Sequence, residues 1–176
     1  WFPMVPSRVI PDTLTARLCF DEPCVAIPDR MSVTEAIALM GRDAKHLLLF
    51  DDCELVGIVS ATELLQAMTT TTDLEAKTVA ALVSSAVIAT SEDRSPHQVS
   101  NLMTQSAASY IVMTRSPRKS ATVPWLRDNR GNPSEIVGIV VPATLLRWCQ
   151  QGIDFDRTTV GSLLQRDRQP SSQSRS

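Results

Sequence analysis

Residues 57–65 read GIVSATELL and residues 138–146 read GIVVPATLL. Both run from a glycine through aliphatic residues into a pair of leucines, as a strand does when it ends where a helix begins. Two positions set them apart. Ser60 and Glu63 in the first stretch are Val141 and Thr144 in the second. The apolar frame occurs twice; the hydroxyl and the carboxylate occur at these positions once.

The similarity extends upstream. Residues 31–40 (MSVTEAIALM) lie over residues 94–103 (RSPHQVSNLM) at an offset of 63 residues. The same offset sets 25–27 over 88–90 and 47–49 over 110–112, whereas 57 to 138 is an offset of 81, so the second copy carries 18 extra residues. Each copy is predicted as strand, helix, strand, strand, helix. In the first, Ser32 and Glu35 form an S-x-x-E capping box, and Val33, Ala36, Ile37 and Met40 make the apolar stripe of the helix that follows. Residues 46–50 and 55–59 are apolar runs around the polar turn 51–53, and 61–68 closes the copy as a helix. In the second, Ser95-Pro96 is a cap followed by proline at the first helical position, 110–113 and 135–141 are strands, and 143–151 is a helix stopped by Gly152. Such units expose an apolar sheet face that one copy cannot cover, so the two are expected to pack together.

Composition narrows the function. The 176 residues are 43% hydrophobic and 20% charged, with a net charge of -2, which excludes a general binder of nucleic acid or anionic membrane. The longest apolar run, 136–146, is broken by Gly138 and Pro142 and falls short of the ~20 residues that span a bilayer. No basic-then-apolar leader opens the chain, and its start at Trp1 leaves open that it belongs to a longer protein. Cys19, Cys24, Cys53 and Cys149 show no C-x-x-C spacing and read as free thiols. His46 and His97 stand 51 residues apart with no carboxylate or cysteine cluster, so no metal site is expected. No nucleophile-and-base constellation or phosphate loop is present in the sequence. Met40, Met68 and Met103 fall at helical apolar positions and are read as core.

The glycine-led stretch 57–65, its repetition and the order of elements around it resemble the cystathionine-β-synthase (CBS) domain, and the tandem resembles a Bateman module, over roughly residues 14–151. The resemblance implies an α/β (α+β) fold of two βαββα repeats packed as a pseudo-symmetric pair. It divides the chain into an extension at 1–13, repeat one at 14–72, repeat two at 73–152 with its insertion at about 114–134, and a polar tail at 153–176 that could open a further repeat. It also implies a non-enzymatic, cytoplasmic regulatory module, homodimeric, controlling a larger signalling protein or partner. Its ligand would be AMP, ADP, ATP or S-adenosylmethionine, held between the repeats; no resident cofactor is implied. Residue by residue, Ser60 would contact phosphate, Glu63 would hold ribose hydroxyls, and Leu47, Leu48, Leu49 and Ile58 would form the apolar wall. Val141 and Thr144 would mark a degenerate second half-site.

The chemistry is sound, because a helix N-terminus offers free N–H groups to phosphate and a carboxylate accepts from a ribose diol. A second reading uses the same residues. Ser60-Ala61-Thr62-Glu63 is also S-x-x-E, a capping box that needs no ligand, and the protein would then be an interaction scaffold.

Two further segments stand outside the repeat pattern. Residues 114–134 carry Arg115, Arg118, Lys119, Arg127 and Arg130 against Asp128, a local charge of +4, with Trp125 in their midst. They read as a solvated, projecting loop, as a docking arm, or as phosphate ligands reaching over the cleft through Arg115, Arg118 or Arg127. Residues 159–163 (TVGSL) echo 78–82 (TVAAL) before a polar tail that is expected to be disordered.

Overall fold

The computed structural model describes residues 18, 21–82, 87–117 and 123–169. The mixed α/β fold of two βαββα units is present. Copy one runs β1 (Cys24–Pro28), α1 (Val33–Asp43), β2 (His46–Asp51), β3 (Glu54–Ser60) and α2 (Ala61–Thr70), followed by short 3₁₀ turns at Leu74–Ala76 and Val79–Leu82. Ser32 starts α1 by accepting the Glu35 N–H on its hydroxyl at 3.2 Å. Val33 and Ala36 are fully buried and Ile37 and Met40 pack beside them, as the helical stripe required.

Copy two runs β4 (Ala89–Ser91), α3 (Pro96–Gln105), β5 (Ile111–Arg115), β6 (Trp125–Arg127), β7 (Pro133–Val140) and α4 (Pro142–Gln150). Ser95 and Gln98 close a reciprocal capping box at its first helix, and Gly152, at φ 80°, ends its last. Strand pairing revises the alignment of the copies by one residue. Leu49 pairs with Gly57 and Met113 with Gly138, so Leu47, Leu48 and Leu49 correspond to Ile111, Val112 and Met113. The expected overlay on 110–112 is corrected: the loop before β5 is one residue longer than the loop before β2. A register irregularity falls at the same place in both copies, after Leu49 and after Met113.

β2 shows how these units pack. Side chains alternate across a strand, and residues 46–50 of β2 are all buried, so both faces are covered. Leu47 and Leu49 join Ile27, Val33, Ala36, Val59, Leu64 and Val79 in a core between the sheet and copy one's helices. Leu48 and Phe50 point the other way, into a cluster with Ile58, Val112, Leu126, Ile136 and Ile139 that joins the two copies. Copy two has its own sheet–helix core, centred on Trp148, Ile111, Met113 and Val140.

The insertion does not behave as expected of a projecting loop. Its residues 118–122, including Arg118 and Lys119, lie outside the described residues, but β6 is part of the sheet. The seven strands run in the order β1-β2-β3-β6-β7-β5-β4, so β6 joins the sheet of one copy to that of the other. It pairs with β7 over three residues and with β3 at Glu54 alone. The reason is apolar burial: Leu126 lies in the inter-copy cluster, and the Trp125 N–H donates to the Cys53 carbonyl at 2.9 Å. Arg127 covers the Trp125 ring and pairs with Glu54, and Arg115 pairs with Glu92, so these two cations are already engaged.

Residues 153–169 are likewise not a polar tail. They contain α5 (Val160–Arg168), whose Val160, Leu163 and Leu164 enter copy two's core. The echo of 78–82 has a structural meaning. Val79 N–H donates to the Met31 carbonyl and Val160 N–H to the Arg94 carbonyl, both at 2.8 Å and at equivalent positions. Each copy is therefore closed by the segment that follows its last helix. Gly138 explains the glycine that leads the second stretch: a methyl group there would come within 2.8 Å of Leu164 Cδ1, so α5 sits against bare backbone. The remaining tail, 170–176, lies outside the described residues. Met103 is in copy two's core and Met40 packs at the edge of copy one's, but Met68 is half exposed beside Leu65, because α2 turns Leu64 and Ala67 inward instead.

Candidate functional site

Where β3 runs into α2, the backbone sets four polar side chains of copy one against copy two. His46 pairs with Ser60 across the antiparallel β2–β3 ladder, and Cys24 pairs with His46 across the parallel β1–β2 ladder. Directly opposed residues project to the same side of a sheet, so all three face the second copy, the side that also holds Leu48. Glu63 joins them from the first turn of α2. Extending the copy-two ladders by one or two residues gives the equivalent positions as Val87 for Cys24, Tyr110 for His46, Val141 for Ser60 and Thr144 for Glu63. Copy one presents a thiol, an imidazole, a hydroxyl and a carboxylate. Copy two presents two valines, a tyrosine and a threonine.

Contacts within copy one are dense. Glu63 Oε1 accepts from the Ser60 N–H at 3.0 Å and from its hydroxyl at 3.3 Å, while Ser60 Oγ accepts from the Glu63 N–H at 3.3 Å. That is the full capping box, worth about 0.5–2 kcal/mol to α2. His46 is 8% exposed. Its Nδ1 lies 3.4 Å from Glu22 Oε1 and its Nε2 lies 3.4 Å from the Ser109 hydroxyl of copy two. Its ring meets Tyr110 edge-on, centroids 6.4 Å apart. A hydrogen bond with Cys24 raises the imidazole above the ordinary histidine value; burial opposes this, and the charges of Cys24, Glu22 and Glu63 add to it. Burial raises the Tyr110 phenol, against the Ile88 N–H that its oxygen accepts, and the Glu63 charge raises it further.

Copy two is closed at the matching place. Val141 is 4% and Thr144 1% exposed, and the Thr144 hydroxyl turns back to accept the Val141 N–H at 3.2 Å. Pro142 begins α4 with no side-chain cap from Val141.

The structure separates the expected apolar wall into two groups. Leu48 and Ile58 lie in the inter-copy cluster, on the same side as His46. Leu47 and Leu49 are fully buried on the opposite face of β2, among copy one's helices, and cannot line a space between the copies. The period of two makes this unavoidable for three consecutive residues of a strand. His46 and Cys24 were not expected at the site. The available signal was a histidine opening an otherwise apolar run, with a cysteine at the start of the neighbouring strand.

The family model for the CBS domain matches residues 19–70, the span of β1 to α2. The second copy repeats its elements and its register. Residues 19–70 are thus similar to a CBS domain, and the two copies together have the fold of CBS-domain pairs. Solved structures of this fold agree. A CBS-domain protein, NE2398, superposes with a TM-score of 0.54 at 17% identity, covering 73% of this chain and 90% of that one. The CBS domain pair of MJ0100, in complex with 5-methylthioadenosine and S-adenosyl-L-methionine, gives a TM-score of 0.51 at 22% identity over 74% of this chain and 90% of that one. CBSX2 in complex with AMP gives 0.50 at 18% identity over 72% and 87%. No curated protein sequence matches the chain.

Among the described residues, no group of three histidine, cysteine or acidic side chains is placed to hold a metal ion. No described helix is long and apolar enough to cross a membrane.

Proposed function

We propose that this CBS pair binds one adenosine-type ligand between its copies, on the wall supplied by copy one, and that binding regulates a larger protein or partner. The observation that carries the reading is the one-sided polar wall: Ser60, Glu63, His46 and Cys24 face copy two, whose equivalent positions are apolar or sealed. The helix N-terminus at Ser60 suits a phosphate or another electron-rich group, and Glu63 suits a ribose diol. The ligands in MJ0100 and CBSX2 share an adenosine core, which supports AMP, ADP, ATP or S-adenosylmethionine as the compounds to test. Leu48 and Ile58 complete the proposed wall, with Val141 and Thr144 as the lost half-site. The homodimer belongs to the same proposal, through Leu65 and Leu146, which are exposed at equivalent positions of α2 and α4.

One observation favours the scaffold reading: Glu63 Oε1 is already held by Ser60. Thermal denaturation with each adenosine compound separates the two, since a ligand at ~100 times Kd adds about 2.7 kcal/mol. The ligand reading predicts a rise in Tm for at least one compound, abolished by Glu63→Ala. No rise with any of them would leave the scaffold.

A further inference from the structure

Cys24 and His46 form a pair that the fold does not require. They are opposite neighbours on β1 and β2. Copy two builds the same ladder with Val87 and Tyr110 at these positions, so a thiol and an imidazole are not needed to close it. Cys24 is partly accessible, unlike the imidazole behind it. The surroundings favour a charged imidazole: Glu22 Oε1 lies 3.4 Å from Nδ1, and the Glu63 charge adds to it. Among the described residues of copy two, the ring meets the Ser109 hydroxyl and the Tyr110 phenol, neither of them cationic. An imidazolium beside a thiol shifts that thiol toward thiolate, the form that reacts. A 3.6 Å hydrogen bond from Cys24 Sγ to the Glu22 carbonyl works against this, as do the Glu22 and Glu63 carboxylates, while the imidazolium they stabilise works for it.

We propose that Cys24 is a modification site: its thiol, set beside His46 on the inter-copy wall, reacts as a thiolate with hydroperoxides and other soft electrophiles. With a hydroperoxide, the Cys24 sulfur attacks the distal oxygen, an S–O bond forms and the O–O bond breaks. The leaving alkoxide or hydroxide takes the proton held by His46. Sulfur is oxidised by two electrons to the sulfenic acid and the peroxide is reduced to alcohol or water. The products of Cys24 and hydroperoxide are thus a sulfenic acid and an alcohol, with no other reactant consumed. A modified Cys24 would project from the same wall as Ser60 and Glu63, linking oxidant to the regulatory cleft.

The experiment is iodoacetamide labelling of the full chain against pH, read by peptide mass spectrometry, with exposed Cys149 as the internal reference. Cys19 falls on the same tryptic peptide as Cys24, so Cys19→Ser is the background. Near pH 6.5, Cys24 is expected to label roughly tenfold faster than Cys149, from its larger thiolate fraction. His46→Gln should bring its rate down to that of Cys149. Glu22→Gln, which leaves the buried ring in place, should lower it part of the way. Hydrogen peroxide followed by dimedone should mark Cys24 before Cys149. A Cys24 rate no higher than that of Cys149, or one unchanged in both variants, would overturn the proposal.

Discussion

The two copies share one backbone and differ in the character of their interiors. At the position where α2 carries Ala67, α4 carries Trp148, and after α4 the chain returns as α5 to add Val160, Leu163 and Leu164. Copy two is built for packing. Copy one keeps a smaller residue on that helix and places its polar side chains on the wall between the copies. The backbone pattern needs only the apolar frame, so the polar positions can differ: they are buried in one copy and face the opposite copy in the other.

The largest expected effect probes copy two's investment. Trp148 is fully buried and its Nε1–H donates to Asp167 at 3.0 Å. Trp148→Ala should cost about 3–5 kcal/mol in urea denaturation, through the cavity it leaves and the lost hydrogen bond to Asp167. A cost near that of a surface change would mean the two interiors are not so different.

Next comes the charged network around it. Arg147 makes two hydrogen bonds to Asp21 and one to Asp167, tying the segment before β1 to α4 and α5. Arg147→Ala should cost about 1.5–3 kcal/mol, the range for hydrogen bonds to charged groups. The network should also give an acid signature. Burial pushes the Asp167 carboxyl up, but Arg147, Trp148 and Arg166 pull it below the ordinary aspartate value. Its contribution is therefore fully present above about pH 4 and is lost as pH falls through the lower folded value. Asp167→Asn should flatten the loss of stability below pH 4; an unchanged acid limb would assign it elsewhere.

The two strand-to-helix junctions come third. Thr144→Ala leaves the buried Val141 N–H unpaired and should cost about 1–3 kcal/mol. Ser60→Ala removes a cap from a more exposed junction and should cost about 1 kcal/mol. The sealed junction should be the costlier to break, and the reverse order in parallel denaturation curves would contradict the account of copy two as closed.

Smallest is the strand that bridges the copies. Arg127 is 57% exposed in its pair with Glu54, so Arg127→Ala should change stability by about 0.2–1 kcal/mol. A larger loss would mean that the single pairing of β6 with β3 holds the copies together.

What sequence could say follows the same division. The helices around Ser32 and Ser95, the glycine-led strands and the doubled order of elements were legible, because caps and periodicity are local. The one-residue shift of 110–112 was not, since register is set by pairing partners rather than by alignment. The sequence alone sets Leu47, Leu48 and Leu49 side by side, though a strand must split them between its two faces. Leu126 and Leu163 were hidden inside segments whose charge suggested solvent, where a few apolar residues were enough to draw each back onto the sheet. His46 and Cys24 gave only the faint signal of polar residues opening apolar strands.

The central claim is that one copy kept its polar wall and the other sealed it. Isothermal titration of the chain with the adenosine compound that most raises its Tm tests this directly. The account predicts one ligand bound per chain, with affinity lost in Glu63→Ala and retained in Thr144→Ser. Two ligands per chain, or a single one indifferent to Glu63, would contradict it.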